Sequence, residues 1–257
     1  MDVPILNAIS VIGDVHGQFE QLLGLLLNAG LVGNDLTWAG DNTTVWLMGD
    51  LLDRGPDGIA VIDLVMRLQG EATIAGGCVG TLLGNHEVMI LAAQRFGGHF
   101  MSEWEWNGGN AADLARLTSQ HVAWMTTLPT LVSSGDRLLM HADATFYTNY
   151  GRSVAQVNRA VRTILQSHHA PAWDRLLDVF SERRAFVGTR MDGRARATAF
   201  LSAFGARQLI HGHTPISSMC SLSPEDVTAP LVYADGLCVN VDAGIYLGSP
   251  GFVYQIA

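Results

Sequence analysis

Short apolar runs recur along this chain, and five of them stop abruptly on Asp, Asn or His. The run over 8–12 includes Ile9, Val11 and Ile12 and ends at Gly13-Asp14-Val15-His16-Gly17. Beyond it Phe19, Leu22, Leu23, Leu26 and Leu27 fall at helical spacing, with Gly30 placed to end the helix. The pattern returns with a strand over 44–48, the turn Gly49-Asp50-Leu51-Leu52-Asp53-Arg54-Gly55, and a helix opened by Pro56 that carries Ile59, Ile62, Val65 and Met66. It returns again with a strand over 79–83, the turn Gly84-Asn85-His86-Glu87 and an apolar helix over 88–93. Alternating strands and helices predict the α/β class, with mixed β-sheets flanked by helices.

Between 97 and 130 the pattern changes, and Trp104, Trp106 and Trp124 are scattered among polar residues. This stretch is read as a helical cap inserted into the domain, its tryptophans filling the cap's own core. A strand over 137–140 stops at His141-Ala142-Asp143. Helical spacing of Val154, Val157, Val161 and Leu165, then of Trp173, Leu176, Leu177 and Phe180, marks a second cap segment over 150–185. Gln208-Leu209-Ile210 meets His211-Gly212-His213-Thr214-Pro215, a strand over 238–241 leads into Asp242-Ala243-Gly244, and a closing strand is expected over 251–254. The expectation is one domain over 1–257, with both caps part of it.

Hydrophobic residues make up 48% and charged residues 15% of the 257, which describes a folded core and not a disordered chain. A net charge of -9 argues against a nucleic-acid partner, because a phosphate backbone is gripped by a basic surface. Cys78, Cys220 and Cys238 are too few and too dispersed for a disulfide framework and read as small core residues. The apolar stretch over 3–12 lacks a basic leader and runs straight into a motif, so it reads as a core strand and not a signal peptide. No run approaches the roughly 20 residues of a membrane span. A soluble, cytoplasmic protein is expected.

Asp14, His16, Asp50, Asn85, His86, His141 and His213 all lie just past strand-like runs. Ligands of α/β sheets bind outside the carboxyl ends of strands, so these motifs are expected to converge. Mixed carboxylate, imidazole and amide donors suit manganese, iron or zinc better than an all-oxygen cage. A shared carboxylate can hold two such ions about 4 Å apart, with a hydroxide between them to attack a phosphate ester.

Gly13-Asp14-Val15-His16-Gly17, Gly49-Asp50 through Asp53-Arg54-Gly55, Gly84-Asn85-His86-Glu87, His141 and Gly212-His213-Thr214-Pro215 together resemble the ordered motifs of the calcineurin-like metallophosphoesterases. The resemblance is closest to their phosphoprotein phosphatase branch. It implies a β-sandwich with helices outside, and two divalent metal ions, manganese first and iron or zinc as alternatives. Asp14 and His16 would hold the first ion, Asp50 would bridge, and Asn85, His141 and His213 would complete the second. His86 would protonate the leaving oxygen, oriented by Asp53, and Arg54 would grip the phosphate. The family usually supplies a second arginine before the last histidine; Arg190 is the candidate, in competition with Arg183, Arg184, Arg194 and Arg196. His211 is expected beside the ligands and not among them, and Asp242 either supports a ligand histidine or forms an ordinary turn.

Ala142-Asp143 stand where the phosphoprotein phosphatases show two glycines, so Asp143 either points away from the phosphate or meets a substrate hydroxyl or cation. The implied activity is hydrolysis of phosphomonoesters, phosphoserine or phosphothreonine in proteins and also phosphotyrosine. The alternative is hydrolysis of dinucleoside polyphosphates of the diadenosine tetraphosphate type, or of nucleotides.

Overall fold

The computed structural model describes residues 9–188 and 190–256, at 190 and 191 the backbone alone. The part of the expected first strand over 3–8 therefore lies outside the described residues. The chain opens with β1 (Ile9–Ile12), α1 (Phe19–Asn28), β2 (Thr44–Leu47), α2 (Gly58–Ala75), β3 (Cys78–Thr81) and α3 (Asn85–Phe96). Three short helices follow, α4 (Gly98–Trp106), α5 (Ala111–Arg116) and α6 (Ser119–Met125). Next come β4 (Leu131–Ser134), β5 (Arg137–Met140), α7 (Val154–Gln166), α8 (Ala170–Phe180) and α9 (Arg190–Phe204). The chain closes with β6 (Gln208–His211), β7 (Leu231–Tyr233), β8 (Cys238–Asn240) and β9 (Tyr254–Ile256).

Among the described residues the strands form two mixed sheets, ordered β3-β2-β1-β9 and β4-β5-β6-β8-β7. β1, β2 and β3 run parallel, as do β5, β6 and β8; antiparallel β9 closes one edge of the first sheet, and antiparallel β4 and β7 close both edges of the second. The period of two decides which side chain meets which layer. Val11, Leu139, Ile210 and Val239 pack between the sheets with Met48 and Leu82. Their neighbours Ile12, Leu138, Leu209 and Cys238 turn to the other face and join the helices. Strands buried on both faces are apolar throughout, which is why they read as unbroken runs. This is the expected α/β class of mixed sheets flanked by helices. No described helix is long and apolar enough to cross a membrane.

The differences are local and mostly of capping. α2 starts at Gly58, not Pro56, because Asp57 caps it: its Oδ1 accepts a 2.8 Å hydrogen bond from the Ala60 amide. α3 starts three residues before the apolar run over 88–93, so Asn85 and His86 sit in its first turn. β9 begins only at Tyr254, the last residue of the expected 251–254, because its pairing with β1 fixes the register, Ile9 opposite Ile256 and Val11 opposite Tyr254. Cys78 is exposed at the start of β3, unlike the buried Cys238.

Candidate active site

The carboxyl ends of β1, β2 and β3 in one sheet, and of β5 and β6 in the other, open on the same edge of the sandwich. Asp14, His16, Asp50, Asn85, His86, His141 and His213 meet there. His16, Asp50, His213, Asp53 and Arg54 all have left-handed backbone, with φ of 47°, 50°, 68°, 68° and 62°. Each such residue costs roughly 1–2 kcal/mol, so the turns must be held by their surroundings. Glu87 supplies part of that hold. Its buried carboxylate accepts hydrogen bonds from the amides of Asp50 (2.9 Å), Leu51 (2.8 Å) and Gly84 (2.8 Å). Burial, then the neighbouring Asp50 charge, pushes the Glu87 pKa up to about 7. The Asp50 carbonyl in turn accepts from the His16 amide at 2.8 Å, tying the first two turns together.

Two groups of side chains place their donor atoms within 4.8 Å of one another: His16, Asp50 and His86, and Asp50, His141 and His213. Asp50 belongs to both. The Nδ1–H of His16 donates to the Leu52 carbonyl (3.2 Å) and that of His141 to the Met48 carbonyl (2.7 Å). Both rings therefore turn Nε2 toward Asp50, at 3.6 and 3.4 Å. Backbone carbonyls that fix the tautomer in this way are a common support of metal-ligating histidines.

The donor set fits divalent cations. Around His141 Nε2 stand Asn85 Oδ1 at 3.0 Å, His213 Nδ1 at 3.1 Å and Asp50 Oδ1 at 3.4 Å, three lone-pair atoms about one point. Asp14 accepts from the His213 amide through Oδ2 (2.9 Å), while its buried Oδ1 has no partner. Burial lowers the pKa of His141, but the carboxylates of Asp50 and Asp14 outweigh it and raise the value to about 10. Burial holds His16 and His213 well below the usual histidine range, so both keep a lone pair free. A cation would satisfy these atoms together.

A second cluster adjoins the first. His86 Nδ1 lies 2.8 Å from Asp53 Oδ2, and both side chains are fully buried. Arg54 donates through Nη2 to His86 Nε2 at 3.2 Å, so the ring proton sits on Nδ1, facing Asp53. Burial raises Asp53 against the opposing hydrogen bonds from His86, Asn110 and Trp104. Arg54 also donates to the hydroxyl of Tyr246 and lies over its ring, 4.6 Å from the centroid.

Of the competing arginines, Arg184 donates to the Ser218 carbonyl, Arg196 to those of Ala185 and Val187, and Arg194 pairs with Asp235. Arg183 is exposed and near enough to His213 to help lower its pKa, after burial and His141. The side chain of Arg190 lies outside the described residues. Asp143 points away from the basin: Oδ1 accepts from the Arg184 amide (2.6 Å) and Oδ2 from the Tyr233 hydroxyl (2.8 Å). That hydroxyl also lies 2.8 Å from His211 Nε2, so His211 is engaged away from the cluster of His141 and His213. Asp242 accepts from the Gly244 amide through Oδ1 (2.9 Å), its buried Oδ2 has no partner, and its charge helps, after burial, to raise the pKa of Asp14.

The sequence marks Trp104 only as core of the cap and Glu87 only as part of a motif; the hydrogen bonds these two make, and the places of Asp113 and Tyr246, come from the structure. Glu87, within Gly84-Asn85-His86-Glu87, and Tyr246, just past Asp242-Ala243-Gly244, stand close enough to a motif to be found from sequence.

The family model for calcineurin-like phosphoesterase matches residues 8–217. Shewanella-like protein phosphatase 2 of Arabidopsis thaliana is 40% identical over 80 residues, 31% of this chain and 20% of that protein. The symmetrical bis(5'-nucleosyl)-tetraphosphatase of Cronobacter sakazakii (strain ATCC BAA-894) is 27% identical over 222 residues, 86% of this chain and 72% of that protein. Among solved structures, a cold-active protein tyrosine phosphatase superposes with a TM-score of 0.75 at 23% identity, covering 97% of this chain and 73% of that one, a likeness of fold. The chain thus spans about a fifth of the plant relative and nearly three quarters of the bacterial one.

Proposed function

The chain belongs to the calcineurin-like phosphoesterase family, metal-dependent hydrolases of phosphoric esters, and within it we propose a phosphomonoesterase acting on phosphoserine, phosphothreonine or phosphotyrosine in proteins. Asp14 and His16 would hold one divalent ion, Asn85, His141 and His213 the other, and Asp50 both. When bound, such a pair supplies an activated water and polarises the phosphoryl oxygens. Manganese is proposed first, with iron or zinc as alternatives, from the mixed nitrogen and oxygen donors.

The observation that carries this reading is the buried Asp53–His86 pair beside Arg54. As water attacks phosphorus, the ester P–O bond breaks with its electron pair on oxygen, and an alkoxide is a poor leaving group unless protonated. His86 Nε2, freed once Arg54 turns away, takes up a proton from solvent and delivers it to that oxygen, while its Nδ1–H stays donated to Asp53. Arg54 leaves Nε2 for the substrate phosphate, which its planar fork fits. Arg183, and Arg190 as first expected from the sequence, are proposed to supply the second phosphate contact. The helices over 97–130 and 150–185 are proposed as caps of a single domain.

Manganese-loaded protein should release phosphate from phosphopeptides and from aryl phosphates. No release from either would overturn the reading. A second reading, hydrolysis of dinucleoside polyphosphates, is favoured by the longer match to a tetraphosphatase and by Trp106, 89% exposed and free to stack on a base. Chromatography of a diadenosine tetraphosphate incubation separates the two, an unchanged substrate peak removing the second.

A further inference from the structure

We propose that Trp104 is a positioning residue for proton delivery, its indole N–H pinning the Asp53 carboxylate so that Oδ2 stays aimed at His86; this rests on the acid-pair assignment above. Trp104 lies on α4 in the helical insertion, 51 positions from Asp53, and is 1% exposed. Its Nε1 is 3.0 Å from Asp53 Oδ1 and 2.9 Å from Oδ2. One N–H shared across both oxygens holds the carboxylate against rotation about its own axis. The Asn110 amide donates to Oδ1 at 3.2 Å, leaving Oδ2 for His86 at 2.8 Å.

The indole is itself fixed. A β-carbon at Gly109 would stand 2.4 Å from its ring, so glycine lets the chain lie flat against it. The same segment grips the loop that carries the catalytic groups. Gly108 O accepts from the Arg54 amide (2.9 Å) and Asn110 Nδ2 donates to the Gly55 carbonyl (2.9 Å). A buried indole N–H needs some acceptor. What sets Trp104 apart is that its acceptor is the carboxylate holding the proton donor, where misdirection costs rate and not only stability.

Leaving-group dependence tests this. Phenyl phosphate needs a proton on its departing oxygen, and 2,4-dinitrophenyl phosphate does not. Turnover by the full, manganese-loaded chain is measured for both substrates in wild type, Trp104→Phe and His86→Asn, with metal content and melting temperature alongside. Trp104→Phe is expected to lower kcat about tenfold on phenyl phosphate and less than about twofold on the dinitrophenyl ester, with metals retained. Equal losses on both esters, or none, would overturn the proposal while the selective loss in His86→Asn still upheld the acid pair. Equal losses in His86→Asn would remove the acid pair and the role of Trp104 with it. If phenylalanine leaves a void that melts the insertion, benzothienylalanine at 104 keeps the shape, lacks the N–H, and must show the same selectivity.

Discussion

Around Asp14, His141 and His213 the polar atoms are held by strand ends and backbone. Around Asp53 and Arg54, which flank His86, they are held by α4, α5 and the turn between them. His141 is oriented by the Met48 carbonyl at the end of β2, and the His213 amide binds Asp14 at the end of β1. These contacts join the two sheets directly. Asp53, by contrast, is surrounded by Trp104, Asn110 and Asp113, and Arg54 by Gly108, all from the segment over 104–113. The first cluster is built by the sandwich, whereas the second is braced by the helical segment over 104–113. Changes in the first region should therefore remove metal and activity together, and changes in the second should separate them.

The largest effect is expected at Asp50, the residue common to both groups of donor atoms. Asp50→Asn should reduce activity to background and lower bound metal, read by mass spectrometry of the dialysed protein. Full metal occupancy with intact turnover would place the bridging carboxylate elsewhere. His86→Asn comes next: turnover should drop by about 10²–10⁴, the range for a lost general acid, with metal content unchanged. Metal loss in this variant would move His86 into the ligand set, beside His16 and Asp50, with which it shares a 4.8 Å group.

A smaller effect, on stability first, is expected at Asp113. Its buried Oδ1 accepts from the amides of Gly58 (3.0 Å) and Ile59 (3.3 Å), and Oδ2 from that of Asp53 (3.3 Å), so α5 supplies a carboxylate to the N-terminus of α2. Asp113→Ala leaves these amides without their acceptor and should cost about 2 kcal/mol by urea titration. Because the same carboxylate holds the Asp53 amide, kcat on phenyl phosphate should fall more than metal affinity does. A parallel fall in both would mean that the two regions are not separable.

The same division explains what could be read from sequence. Strands buried on both faces give unbroken apolar runs, and the polar residues past their ends cannot be core, so Asp14, Asp50, His141 and His213 were legible from position alone. β4, with the sequence Leu-Val-Ser-Ser, and β7, three residues long, are edge strands defined by pairing, and they carry no such signal. α9 opens Arg-Met-Asp-Gly-Arg with its apolar residues late, and no helical stripe announces it. Trp104 reads from sequence as core packing, and by burial it is core. Its N–H partner lies 51 positions away and no periodicity connects the two.

The smallest effect is expected at Asp143, which lies on the sandwich side but reaches toward the loop of Arg183, proposed above as a second phosphate contact. Its Oδ1 and its backbone carbonyl accept from the amides of Arg184 (2.6 Å) and Ala185 (2.9 Å), fixing the loop that presents Arg183. Its Oδ2 accepts from Tyr233. Asparagine keeps the acceptor toward Arg184 and replaces the one toward Tyr233 with an amide, and the phenol can answer by donating to His211 instead. Asp143→Asn should therefore leave kcat and metal content near wild type and raise KM for aryl phosphates by about threefold, less than the roughly tenfold rise expected for Arg183→Ala, which removes a charge-assisted contact outright. A rise in KM at Asp143 that persists in the Arg183→Ala background would show that Asp143 acts on substrate by itself and not through the arginine loop.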